Sequence, residues 1–234
     1  MTSDGGAVSA PPRLLVVTAV AAERDAVTAG LRLSGHPADA ADVIAGGVGP
    51  AAAAAATATA LARAEAAGAP SALGVGAGIG GGFAPAAPVG AVAVARTIVA
   101  ADLGAQTADG FVPVAELGFG VSEHRPPERL AEGVARALAA AYGPVLTVST
   151  VTGTAERAAE LTARHPGAVA EAMEGFGVAE AAAAAGVPVL EIRTVSNAVG
   201  PRDRAAWRIG EALAALTTAF GKLPAALEVE AEHG

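Results

Sequence analysis

The chain has 234 residues, 53% hydrophobic and only 16% charged, which suits one full-sized domain with its own core and excludes a disordered chain. It contains no cysteine, so a disulfide framework, a thiolate nucleophile and any Cys-ligated metal are excluded. A net charge of −8 and a pI near 5.0 argue against nucleic acid or an anionic membrane as partner.

Residues 1–12 read as a disordered tail without the basic start of a signal peptide. Mean hydropathy is +0.48, but alanine inflates it. The longest uncharged stretches, Val43–Ala62 and Pro70–Ala95, are interrupted by glycine and proline, whereas a spanning helix needs about 20 apolar residues. A cytoplasmic protein is expected.

Arg13–Ala19 (RLLVVTA) is a continuous apolar run suited to a buried strand, and Val20–Leu33 reads as a helix. A short strand at Asp42–Ala45 follows. Pro50 opens an alanine-rich helix to Gly68, at a position where its missing N–H costs nothing. Ser71–Ala77 and Gly90–Arg96 read as strands around a glycine loop. Beyond them come a helix at Pro127–Tyr142, a strand at Val145–Val151, a helix at Thr154–Arg164 and a strand at Ala168–Glu171. A helix at Glu174–Ala185, a strand at Pro188–Val195 and a helix at Asp203–Gly221 complete the series, and the acidic segment 224–234 reads as a frayed tail. The alternation predicts a single α/β domain over 13–223, with a mixed, largely parallel central sheet flanked by helices. In such sheets a ligand sits beyond the carboxyl ends of the strands. That places Ala19–Arg24, Ala77–Gly82, Val151–Thr154, Ala172–Gly175 and Ser196–Arg204 around any site.

Several residues in those segments have chemistry to offer. Gly76-Ala77-Gly78-Ile79-Gly80-Gly81 spells GxGxxG, but no helix starts inside it, so it fits a loop of close backbone approach or a wide turn better than a dinucleotide site. Glu23 follows the first strand and can deprotonate a water, or merely occupy a helix's first turn, where acids are common. Glu174, at a strand–helix junction, can accept two hydrogen bonds from a vicinal diol, with the Met173 thioether beside it; a helix-start acid over a core methionine is the alternative. Asn197 is the only asparagine in the chain. At the end of a buried strand it presents one acceptor and two donors, or makes an Asx turn. Arg202 and Arg204 can hold a carboxylate, or make surface ion pairs.

Together VVTAVAAERDAV, GAGIGGGFAPAAPVG and AVAEAMEGFGVAEAAAAAGVPVLEIRTVSN resemble the nucleoside phosphorylase/nucleosidase superfamily, over nearly all of Arg13–Leu223. The nearest branch is that of the 5′-methylthioadenosine/S-adenosylhomocysteine nucleosidases. The resemblance implies Glu23 as the water-activating acid and Met173 and Glu174 as the ribose-binding pair. It also implies substrate contacts at Ile79, Gly80, Gly81, Thr152 and Gly153, no metal or other cofactor, and a homodimer with Trp207 or the alanine-rich helices in its interface. Asn197 stands where those nucleosidases keep an aspartate. An amide N–H suits the O6 of hypoxanthine or guanine and meets another donor in adenine, a costly mismatch in a buried site. The departure therefore predicts a 6-oxopurine nucleoside. It favours stabilisation of the leaving base by Asn197 over acid catalysis. The glycine segment has no basic residue before Arg96 to hold phosphate, so water is the expected nucleophile. SNAVGPRDRAAW and TVSTVTGT are similar to the futalosine hydrolase branch, of the futalosine route to menaquinone. That branch's substrate carries a carboxylate for Arg202 or Arg204. A purine nucleoside phosphorylase, a methylthioadenosine nucleosidase and a catalytically silent nucleoside-binding module are the alternatives.

Overall fold

The structure, a computed structural model, describes residues 13–232; the expected tail at 1–12 lies outside them. β1 (Leu14–Thr18) is buried along its whole length. Its side chains alternate between two cores: Leu14 and Val16 face one, Leu15 and Val17 the other. A strand buried on both faces needs this unbroken apolar run. α1 (Ala21–Leu33), β2 (Ala41–Ala45) and α2 (Pro50–Ala66, with Pro50 in the first turn) follow as expected.

The glycine segment is not a loop. β3 runs from Leu73 through Gly82, so the glycines continue the strand to the carboxyl end of the sheet. The reason is crowding. A Cβ at Gly80 would lie 2.7 Å from the Glu171 carbonyl oxygen, and one at Gly82 2.1 Å from that of Ala87. Small residues let neighbouring backbone close on both sides of this strand.

β4 (Val92–Ala100) leads to a hairpin of β5 (Gly104–Thr107) and β6 (Gly110–Pro113), then the two-residue β7 (Glu123–His124). The hairpin and β7 carry no clear apolar alternation and are not expected from the sequence. α3 (Glu128–Ala137) ends earlier than expected, because β8 (Ala141–Thr147) takes the residues read as its last turn. α4 (Ala155–Arg164), β9 (Ala170–Ala172), α5 (Gly175–Ala184) and β10 (Val189–Ala198) complete the alternation. The final helix, α6 (Ile209–Glu232), starts later and runs further than expected, preceded by a short 3₁₀ turn at Arg204–Ala206. The acidic segment after 223 is therefore helix rather than frayed tail: Ala226 and Leu227 are buried, and Glu230 pairs with Arg136 at 3.3 Å. α6 is apolar enough to cross a membrane by length and composition, but Leu216, Phe220 and Leu223 on it are core residues packed with those of α1 and α3.

Eight strands form one sheet in the order β10-β4-β8-β9-β3-β1-β2, with β7 on β4. Five of its pairings are parallel and three antiparallel, a mixed sheet. β3 organises it. β10 follows one edge of β3 from Gly74 to Gly82; on the other edge β1 pairs with its beginning and β9 with Gly81 and Gly82. Because β10 also joins β4, which joins β8 and then β9, these strands close into a ring. The carboxyl ends of β1, β3, β9 and β10 meet in one place.

Candidate active site

Glu23 lies in the first turn of α1 and is 4% exposed. Its Oε2 accepts the backbone N–H groups of Ala19 (3.0 Å) and Val20 (3.3 Å), reaching back over the helix start as a capping glutamate does. Its Oε1 accepts the Ile79 N–H at 2.9 Å from β3. Three backbone donors from two elements fix the carboxylate. A Cβ at Gly78 would stand 2.7 Å from Oε1, so a residue without a side chain is required beside it.

Glu174 is the residue that leads into α5 and is 5% exposed. Its Oε1 accepts the Gly49 N–H at 3.2 Å, and its Oε2 accepts from Arg193 Nη1 at 3.1 Å. Arg193 also donates from Nε to Glu191 Oε1 at 2.9 Å; both Arg193 and Glu191 are fully buried. Burial by itself disfavours the charged guanidinium, but the carboxylates of Glu191, Glu174 and Glu23 outweigh it and hold Arg193 firmly protonated. For Glu191 burial dominates, and its pKa is raised despite Arg193. This buried Arg–Glu pair was not anticipated. Its signal was present in VLEIRTV, where two charges sit two apart, on one face of an otherwise apolar strand.

At the far end of β10 a register shift between Val195 and Asn197 turns Asn197 out beside Gly81. The Ser196 hydroxyl donates to Asn197 Oδ1 at 2.8 Å, and Nδ2 donates to the Ala198 carbonyl at 3.0 Å. A carbonyl can only accept, so this contact fixes which end of the amide is nitrogen. One Nδ2 hydrogen is left to serve a ligand.

A cleft of about 170 Å³, open to solvent, joins these groups. Glu23, Ile79, Gly80, Gly81, Thr152, Met173, Glu174, Asn197 and Arg202 all line it. Gly153 and Arg204 do not. Gly153 falls just beyond the lining stretch, and Arg204 lies behind Trp207, its guanidinium 5.7 Å from the ring centre. Arg202 lies 5.5 Å from the same ring. Trp207, expected in an interface, is itself part of the cleft wall, as is Glu171. Glu171 accepts the Thr152 N–H at 2.9 Å on one oxygen and the Thr152 hydroxyl on the other, while burial raises its pKa. Arg24 turns away to Asp25 at 2.8 Å, leaving Arg202 as the cation in the wall. Among the described residues no group of three His, Cys, Asp or Glu is placed to hold a metal ion.

Residues 20–227 match the model of the Phosphorylase superfamily. The chain is similar to the futalosine hydrolase of Streptomyces coelicolor, with 62% identity over 94% of this chain and 98% of that protein. It is also similar to the futalosine hydrolase of Acidothermus cellulolyticus, with 48% identity over 91% of this chain and 90% of that protein. A solved structure of futalosine hydrolase from Helicobacter pylori superposes with a TM-score of 0.71 at 18% identity, covering 94% of this chain and 98% of the other. By sequence over nearly its whole length, and by fold, the chain belongs to the phosphorylase superfamily and, within it, to the futalosine hydrolase family.

Proposed function

We propose that the protein hydrolyses the N-glycosidic bond of futalosine, releasing hypoxanthine and dehypoxanthine futalosine, a step in menaquinone biosynthesis. Glu174 accepts from the ribose diol on Oε1, whose bond to Gly49 leaves one acceptor position, while Arg193 and the Met173 N–H hold Oε2, and the Met173 side chain lies against the sugar. Glu23 takes a proton from a water on the face of the sugar opposite the base. That water's oxygen bonds to C1′ as the C1′–N9 electron pair leaves with the base, through an oxocarbenium-like state. Asn197 donates to the 6-oxo group and stabilises the base as it departs as an anion, which then takes up a proton from water to become hypoxanthine. Fixed dipoles and charges of this kind lower a barrier because they need not reorganise during the reaction.

The single observation that carries the reading is the locked Asn197 amide. Ser196 takes one of the two acceptor positions on its oxygen, and its nitrogen end, fixed by the Ala198 carbonyl, has a hydrogen to spare, which suits the O6 of a 6-oxopurine. The names of the two curated relatives agree with it. Water as the nucleophile is supported by a wall whose cations are Arg202, at the Trp207 end, and Arg193 behind it, committed to two carboxylates. A homodimer accords with exposed Leu117, Phe119 and Val121, an apolar surface a second copy would cover. A cytoplasmic location accords with a small-molecule substrate.

The test is base release from futalosine, inosine and methylthioadenosine, with and without phosphate. Hypoxanthine released from futalosine without phosphate, with methylthioadenosine inert, is the expected result. Strict dependence on phosphate would make the protein a phosphorylase, adenine release at a comparable rate would make it a general nucleosidase, and binding without turnover would make it a silent module.

A further inference from the structure

Glu171 has no part in the mechanism above, yet it is a 5%-exposed carboxylate in the wall of the cleft. The register of the sheet places it with some precision. On β3, Gly81 pairs with Glu171 of β9 on one edge and with Asn197 of β10 on the other. Residues in register on adjacent strands project to the same face. Glu171, Gly81 and Asn197 thus form a row across three strands, about 10 Å from the first Cα to the last at ordinary strand spacing. The middle member has no side chain. A Cβ at Gly81 would lie 3.3 Å from Asn197 Nδ2 and 2.8 Å from Val199 Cγ2, so only glycine lets these two side chains close on the strand here. The cleft wall therefore carries an amide on one side of Gly81 and a carboxylate on the other.

Each end has unused capacity of one kind. Asn197 has a donor hydrogen to spare. Each Glu171 oxygen accepts one bond from Thr152, and a carboxylate offers about four acceptor positions, so acceptor capacity is left. A donor beside an acceptor is the complement of a ring C=O beside a ring N–H. The lactam edge of a 6-oxopurine has that pattern; the 6-amino edge, with a donor beside an unprotonated N1, has the reverse.

We propose that Glu171 reads the N1–H of the 6-oxopurine base while Asn197 reads O6, so that the two residues recognise the lactam edge together. The inference rests on the futalosine reading and extends it. It makes base selection the work of two residues, one of them bound to the Thr152 segment, which it holds against the cleft.

Two measurements test it. In the wild-type protein, hypoxanthine is expected to inhibit at least about tenfold more tightly than 1-methylhypoxanthine, which lacks the N1 hydrogen. In Glu171→Gln the amide can still accept from Thr152 but turns an N–H toward N1. Its kcat/KM for futalosine should fall about tenfold or more, and its preference for the 6-amino counterpart over futalosine should rise by a similar factor. Equal inhibition by the two bases would overturn the proposal, as would an unchanged preference in Glu171→Gln. If Glu171→Gln does not fold, as its melting curve would reveal, the inhibitor comparison on the wild type decides. A wild-type protein that prefers the 6-amino nucleoside would instead contradict the futalosine reading itself.

Discussion

Replacing Glu23 by Gln separates two jobs that this residue holds at once. The carboxylate accepts three backbone N–H groups, two on Oε2 and one on Oε1. A carboxamide has only one oxygen. The cheaper orientation keeps that oxygen on Ala19 and Val20 and turns the NH₂ onto the Ile79 N–H, where two donors face each other. Leaving one buried donor unsatisfied costs about 1–3 kcal/mol. For a chain of this size each kcal/mol lowers the melting temperature by about 2–4 °C, so a fall of several degrees is expected. The same substitution removes the group that takes the proton from water, a loss of about 10²–10⁴ in kcat. Melting by circular dichroism and base release from futalosine measure the two effects on one preparation. A rate within tenfold of wild type would refute the role of Glu23 as base. An unchanged melting temperature would refute the claim that its carboxylate ties α1 to β3.

Gly78→Ala places a methyl 2.7 Å from Glu23 Oε1 and 3.0 Å from Arg193 Nη1, at a backbone φ of +155° that other residues rarely adopt, so kcat should fall by about 10²-fold and the melting temperature should fall with it, as steady-state kinetics beside a melting curve will show. Arg193→Met leaves Glu174 and Glu191 buried without their cation and should destabilise the protein by about 3–5 kcal/mol in urea unfolding. Burial raises the Glu171 pKa against the lowering by its Thr152 bonds, so the folded state holds that proton more tightly than the unfolded chain. This contribution to stability is fully present below the ordinary value of 4.5 and is lost as pH rises through the higher folded value. Urea titrations across that window should therefore show the wild type losing stability relative to Glu171→Gln as pH rises.

The sequence revealed the parts of this molecule that follow from local chemistry. RLLVVTA is a buried strand because the unbroken apolar run Leu14–Val17 suits a strand covered on both faces, and Pro50 marks a helix start because of its missing N–H. The resemblance located Glu23, Met173, Glu174 and Asn197, and all four line one cleft. What stayed hidden depends on partners distant in the chain. The glycines of β3 read as a loop because a strand free of side chains is unfavourable in isolation; it forms where β9 and β10 need to approach it. The acidic end of α6 read as a tail because its charges mask the buried face carrying Ala226 and Leu227. Glu171 passed unremarked for a similar reason. Its position beside Gly81 comes from an antiparallel pairing with a strand 90 residues earlier, which no local pattern encodes.

The most direct test of the account is to run the reaction on futalosine in phosphate-free H₂¹⁸O and to identify both products by mass. The account predicts free hypoxanthine and a sugar product carrying one ¹⁸O at C1′. No turnover until phosphate is added, with a sugar 1-phosphate as product, would contradict it.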